Sequence, residues 1–81
     1  MKLDGNAIGG LMLELFGDDM TAAGSICGSC GAREEMARLD VYTGAGFVVR
    51  CHSCGAVMVR IVQSRDRTWI DLSGTASLEL G

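Results

Sequence analysis

Cys27-Gly28-Ser29-Cys30-Gly31 and Cys51-His52-Ser53-Cys54-Gly55 are one pentad written twice, CxxCG, and they hold all four cysteines of an 81-residue chain. Twenty residues separate the two pairs. Two residues between cysteines let one tight turn aim both sulfurs at a single ion, and two such turns supply the four ligands of a tetrahedral zinc site. A glycine straight after the second cysteine tolerates a positive φ and lets backbone N–H groups approach the thiolates. The intervening length suits a β-hairpin. Cys27, Cys30, Cys51 and Cys54 are therefore read as metal ligands. Zn2+ is the expected ion, with iron the alternative in the same cage, because sulfur donors alone do not separate the two.

Other uses of the cysteines fit less well. Two disulfides need an oxidising compartment. The opening Met1-Lys2-Leu3-Asp4-Gly5 has one basic residue followed at once by an acid, with no apolar run behind it to act as an export signal. A thioredoxin-like motif is normally a single CxxC opening a helix within a βαβ unit, whereas both pairs here sit among turn-rich and strand-like residues. A reducing cytoplasm is the expected compartment.

A chain of this size buries only about 60–65% of its unfolded surface and is marginal without help. Structural zinc supplies on the order of 10–16 kcal/mol of binding energy coupled to folding. Hydrophobic residues make up 48% of the chain, enough for a core, and charged residues 21%. No apolar run approaches the roughly 18–20 residues needed to cross a bilayer, so no membrane partner is expected. The net charge is −3, unevenly spread. Residues 1–30 set Lys2 against Asp4, Glu14, Asp18 and Asp19, whereas residues 31–67 set six arginines against Glu34, Glu35, Asp40 and Asp66. Four thiolates around one divalent ion add a further negative patch. That balance disfavours strong non-specific nucleic-acid binding, which needs a dense basic surface.

Along the chain, residues 4–17 read as an amphipathic helix. Ile8, Leu11, Met12, Leu15 and Phe16 form one stripe, Asp4 or Asn6 can cap its start, and Gly17 suits a left-handed C-terminal cap. Gly9 and Gly10 make this helix depend on packing. The stripe either docks on the domain's own sheet or meets another protein or a second copy. Residues 18–35 form a connection, with a short strand from Met20 to Ile26 feeding Cys27. Glu34-Glu35 reads as solvated loop and not as a carboxylate dyad, since adjacent side chains point apart. Strands follow at Met36 to Tyr42, Phe47 to Arg50, Val57 to Gln63, Thr68 to Leu72 and Ala76 to Leu80. Turns lie at Thr43-Gly44-Ala45-Gly46 and Ser64-Arg65-Asp66-Arg67. The expected architecture is a small metal-stabilised α+β domain over residues 1–81. It has an N-terminal helix (4–17), a two-knuckle core (20–63) and C-terminal strands (64–80), built on an antiparallel sheet of three to five strands.

Two CxxCG knuckles, the second entered and left by strands, resemble the zinc-ribbon fold group. The usual proline after the first cysteine is replaced by Gly28 and His52. The opening Leu3-Asp4-Gly5-Asn6-Ala7, the leucine-rich helix and the close Arg67-Thr68-Trp69-Ile70-Asp71-Leu72-Ser73-Gly74 are similar to a family of small, uncharacterised actinobacterial four-cysteine proteins. That resemblance implies the fold and the four ligands and carries no activity.

The chemistry of the site argues against an enzyme. A catalytic zinc keeps an exchangeable position and usually takes three protein ligands including His, Asp or Glu, whereas four cysteines close the shell. His52, the one histidine, reads as exposed or as a donor to a thiolate. No deaminase His-x-Glu motif, catalytic triad, phosphate-binding loop or dinucleotide fingerprint is present. Three non-enzymatic readings compete. A protein-interaction or accessory module would use the helix stripe or an exposed sheet face. A nucleic-acid binder would use Arg50, Arg60, Arg65 and Arg67 with Trp69 or Tyr42 as a stacking surface. A thiolate redox sensor would release zinc on oxidation. Read structurally, the same arginines form a solvated sheet face and Trp69 sits in or at the edge of the core.

Overall fold

Strand alternation and glycine-rich turns build two antiparallel sheets. The computed structural model describes residues 2–79. The chain opens with strand β1 (Lys2–Asp4), then a 3₁₀ turn over Gly5–Ile8 and helix α1 (Gly9–Phe16). Strands β2 (Gly24–Cys27) and β3 (Arg33–Glu35) flank the first pentad, and a second 3₁₀ turn over Met36–Arg38 follows. Then come β4 (Asp40–Thr43), β5 (Phe47–Arg50), β6 (Val57–Gln63), β7 (Thr68–Asp71) and β8 (Thr75–Glu79). Five strands form one sheet in the order β1-β4-β5-β6-β7, and three form another in the order β3-β2-β8.

The period-2 pattern of β6 sets the polarity of the larger sheet. Val59 and Ile61 are fully buried, whereas Arg60 and Val62 are exposed. Register carries this across neighbouring strands, pairing Val41 with Val49 and Val49 with Val59 on the inner face. Ile8 and Met12 from the helical segment, Met20, Met36 and Leu39 close over that face and complete the core. Leu11, Leu15 and Phe16 are half-buried against it. The stripe therefore faces the domain's own core, and Leu13 on the opposite side is half exposed.

Several expected boundaries change, each for a tertiary reason. The helix expected over residues 4–17 begins only at Gly9. Leu3 is drawn into an edge strand opposite Val41, and the Asp4 carboxylate accepts the Asn6 N–H at 3.1 Å to cap the 3₁₀ turn. Gly5 packs so closely on the Met36 carbonyl that any Cβ would collide with it. Gly17 does close the helix in the left-handed conformation, donating to the Leu13 carbonyl at 2.8 Å. The strand expected from Met20 starts instead at Gly24. Asp19 accepts both the N–H and the hydroxyl of Thr21, at 3.0 and 2.7 Å, and holds a turn there. The strand expected over Met36 to Tyr42 is a 3₁₀ turn followed by β4. Buried Met36 and Leu39 anchor that turn as the chain passes from the small sheet to the large one. The last strand joins β2 in the small sheet, so the expected single sheet is two. Leu80, the expected end of that strand, lies outside the described residues.

Candidate metal centre

Each pentad folds into the same turn. In the first, the Gly31 N–H donates to the Cys27 carbonyl at 3.0 Å, and the Cys27 N–H to the Ala32 carbonyl at 2.9 Å. In the second, Gly55 donates to Cys51 at 2.9 Å, and Cys51 to Ala56 at 2.8 Å. Gly31 and Gly55 both take φ of 77°, a left-handed conformation costly for any residue with a Cβ. The glycine after each second cysteine therefore turns the chain back under the sulfurs.

Cys27 ends β2 in the small sheet, and Cys51 follows β5 in the large one. The four Sγ atoms converge between the sheets, all within 4.8 Å of one another. Cys27 and Cys54 sulfurs are 3.7 Å apart, as are those of Cys30 and Cys51. A zinc–sulfur bond of about 2.3 Å places tetrahedral sulfurs about 3.8 Å apart, so the donor set fits such an ion in type, number and spacing. All four cysteines are free. Each knuckle contributes one buried sulfur residue, Cys27 or Cys51, and one exposed, Cys30 or Cys54.

The backbone prepares these thiols unequally. The N–H groups of Cys30 and Ser29 pull the Cys27 thiol down to about 6 against desolvation. The Ala32 N–H pulls on Cys30, but desolvation and the neighbouring Cys51, Cys54 and Cys27 thiols outweigh it and push Cys30 up to about 11. Cys27 is thus favoured as a thiolate before Cys30. A bound cation would offset the crowding that opposes ionisation of Cys30.

His52 stands apart from the sulfur cluster. It is exposed, and its Nδ1 lies 3.2 Å from Asp40 Oδ1. Glu34 and Glu35 line an open acidic cleft with Asp4, Asp40 and His52, and the Glu34 carbonyl accepts the Ser25 hydroxyl at 2.9 Å.

The arginines and aromatics singled out in the sequence gather mainly on the outer face of the large sheet. Cross-strand register aligns Tyr42, Val48, Arg60 and Asp71 in one row and Val62 with Trp69 in the next. Arg50 lies over the Tyr42 ring, 5.6 Å from its centroid, and donates to the Gly55 carbonyl at 2.9 Å. It therefore braces the second knuckle against the sheet. Asp71 is held below the usual carboxylate range by the Ser73 hydroxyl, then by the Ser73 N–H and the Arg60 charge. Arg65 and Arg67 lie in the exposed turn between β6 and β7. Trp69, expected in or beside the core, is 53% exposed, because β7 is the outermost strand. An apolar cleft of about 300 Å³ opens beside it, walled by Tyr42, Val48, Arg60, Val62 and the β4–β5 turn. Sequence reasoning missed this cleft. Its walls come from three strands whose order only long-range pairing decides.

Comparison with known families assigns residues 1–81, the whole chain, to one family. The chain belongs to the family of unknown function DUF6510. No curated protein and no solved structure matches it. Membership of DUF6510 therefore adds no activity to the site. Among the described residues no helix is long and apolar enough to cross a membrane.

Proposed function

We propose that the chain is a non-enzymatic binding module of the zinc-ribbon type, in which zinc held by Cys27, Cys30, Cys51 and Cys54 staples the two sheets together. The observation that carries this reading is the sulfur cluster, with four donors within 4.8 Å of one another, two pairs of them at 3.7 Å, contributed by both sheets. When bound, the ion supplies cross-linking and charge neutralisation. Four thiolates leave it no exchangeable position for water or substrate. Iron in the same cage is the alternative. A site that depends on free thiols belongs in a reducing compartment such as the cytoplasm.

In this reading the working surface is the outer face of the large sheet. Its occupant is a protein segment that sets an apolar side chain beside a carboxylate. The apolar group suits the cleft between Tyr42, Val48 and Val62, and the acid suits Arg60 on its wall. Single-stranded nucleic acid is the second reading, favoured by Arg50, Arg60, Arg65 and Arg67 lying on or beside the face that carries Tyr42 and Trp69. It is disfavoured by the net charge of −3 and by Arg50's engagement with Gly55. The exposure of Cys30 and Cys54 keeps a redox-sensing role as a third reading.

Two measurements test this. Elemental analysis of the purified protein is expected to return one zinc per chain, and a metal-free folded protein would sink the staple. Backbone-amide shift mapping then compares short peptides carrying leucine or phenylalanine beside glutamate with oligothymidine. Shifts at Tyr42, Val48, Arg60 and Val62 with the peptides are expected. Shifts only with oligothymidine, vanishing as salt rises, would replace the first reading with the second.

A further inference from the structure

The sheet edges of this protein are not guarded equally. β3 is Arg33-Glu34-Glu35, charged throughout, β1 is Lys2-Leu3-Asp4, and β8 ends in Glu79, which Arg33 grips at 2.8 Å. Charged residues of this kind discourage pairing with another chain. β7 is different. Thr68-Trp69-Ile70-Asp71 places two large apolar residues at its centre, and all four residues are exposed. Trp69 is 53% exposed on the outer face, and Ile70, which continues the Phe47 and Ile61 row of the inner face, is 36% exposed. The chain has no proline, and no bulge interrupts the β6–β7 register.

The backbone of this edge is set out for one more strand. The Ser64 N–H donates to the Arg67 carbonyl at 2.8 Å, which makes residues 64 and 67 a hydrogen-bonded pair. Antiparallel ladders alternate, so Val62 with Trp69 and Arg60 with Asp71 also exchange bonds. Trp69 and Asp71 therefore direct their N–H and C=O groups at β6. Thr68 and Ile70 direct theirs outward, away from the sheet.

We propose that β7 is a homodimer interface, pairing antiparallel with β7 of a second copy about a two-fold axis through Trp69. The five residues Arg67-Thr68-Trp69-Ile70-Asp71 are self-complementary in this register. Arg67 meets Asp71 of the second copy, Thr68 meets Ile70, and Trp69 meets Trp69. Each pair joins residues of the same sheet face, as a continuous sheet requires. Thr68 and Ile70 are then the pairs that exchange backbone bonds, so every outward N–H and C=O of the edge finds a partner. Moving the axis to Ile70 sets Trp69 against Asp71 and Thr68 against Leu72, whose carbonyl already accepts the Thr75 N–H at 2.9 Å. The contact is isologous, as a two-fold dimer demands. It joins two five-stranded sheets into one of ten strands, with the two indoles side by side on the outer face. The patch is small, so dissociation is expected on the order of micromolar concentrations. The proposal is independent of what occupies the neighbouring cleft.

Sedimentation equilibrium of the full, zinc-supplemented chain tests it. The native chain is expected to show a monomer–dimer equilibrium. Arg67→Asp alone and Asp71→Arg alone each turn both charged pairs of the homodimer repulsive, and each is expected to weaken association by about tenfold or more. An equimolar mixture of the two is expected to regain the native affinity within about threefold, because every charged pair across the edge is again opposite in sign. Both positions are exposed, and far-ultraviolet circular dichroism checks that each variant is folded. A native chain that stays monomeric up to about 1 mM overturns the proposal, since even weak specific interfaces associate by then. So does a dimer indifferent to both single substitutions, or a mixture that fails to pair.

Discussion

Replacing Cys51 by serine tests the staple at its most buried point. Cys51 is 2% exposed, and its sulfur lies 3.7 Å from that of Cys30. Structural zinc in small domains is bound with about 10–16 kcal/mol, or roughly 2.5–4 kcal/mol for each of four ligands. The serine hydroxyl is a poor substitute for a thiolate, and burying it without a full set of partners costs about 1–3 kcal/mol more. The combined loss of about 3.5–7 kcal/mol corresponds to a fall in zinc affinity of about three to five orders of magnitude. It also rivals the whole stability expected of 81 residues, about 4–12 kcal/mol. Competition against a chromophoric chelator should read the affinity loss, and a thermal scan by circular dichroism should show the cooperative transition lowered or lost unless zinc is in excess. A Cys51→Ser protein that binds zinc within tenfold of the native chain and melts within about 3 °C of it would refute the reasoning, because so small a shift means well under 1 kcal/mol in a domain this size.

Proton competition gives a second expectation. In the metal-free chain the Cys27 thiol titrates near 6 and that of Cys30 near 11, so at neutral pH the first is mostly thiolate and the second a thiol. Zinc binding must expel the remaining protons; affinity should rise with pH and the ion should dissociate as pH falls. Calorimetry in buffers of differing ionisation enthalpy reads the release, and an affinity unchanged from pH 6 to 8 would contradict it. Oxidation of the loaded chain by hydrogen peroxide should release zinc and cross-link between knuckles, at Cys27–Cys54 and Cys30–Cys51, the pairs at 3.7 Å. Peptide mapping that found only bonds within a knuckle would count against this. On the helix, Met12→Ala should cost about 2–5 kcal/mol, because Met12 is buried in the core, whereas Leu13→Ala should stay within about 0.5 kcal/mol. Equal effects in chemical denaturation would mean that the stripe is not covered as described.

Local pattern made some of this architecture legible and left the rest hidden. The β6 alternation from Val59 onward, the strand from Phe47 to Arg50 and the turns at residues 43–46 and 64–67 follow from neighbours in sequence and lie where expected, whereas Met58, on the face of exposed Arg60 and Val62, is buried. The pairing of two sulfurs within each CxxCG turn follows from spacing, since each turn is a local device, whereas the meeting of the two pairs needs the two sheets to pack. What escaped reading depends on distant partners. β1 is a strand only because β4 pairs with it, and β3 only because β2 does. The break before Gly9 comes from Gly5 meeting the Met36 carbonyl, thirty-one residues further along the chain. The contact of His52 with Asp40, the bracing role of Arg50 and the exposure of Trp69 likewise depend on register and strand order, which hydrophobic periodicity does not encode.

The position of β8 has a consequence for the order of assembly. The second knuckle lies inside the β5–β6 hairpin and can take shape from contiguous chain. The first lies inside the β2–β3 hairpin, but β2 gains its second neighbour only from β8: Gly24 pairs with Glu79, and the Gly28 N–H bonds to the Gly74 carbonyl at 2.9 Å. As the polypeptide leaves the ribosome, one half of the sulfur cage can therefore be ready while the other still lacks the β8 side of its platform. Closing so long a loop is the slow, entropically costly event. Capture of the ion then becomes the final step of maturation, and pulse-labelled hydrogen exchange should protect β5 and β6 amides before those of β2 and β8.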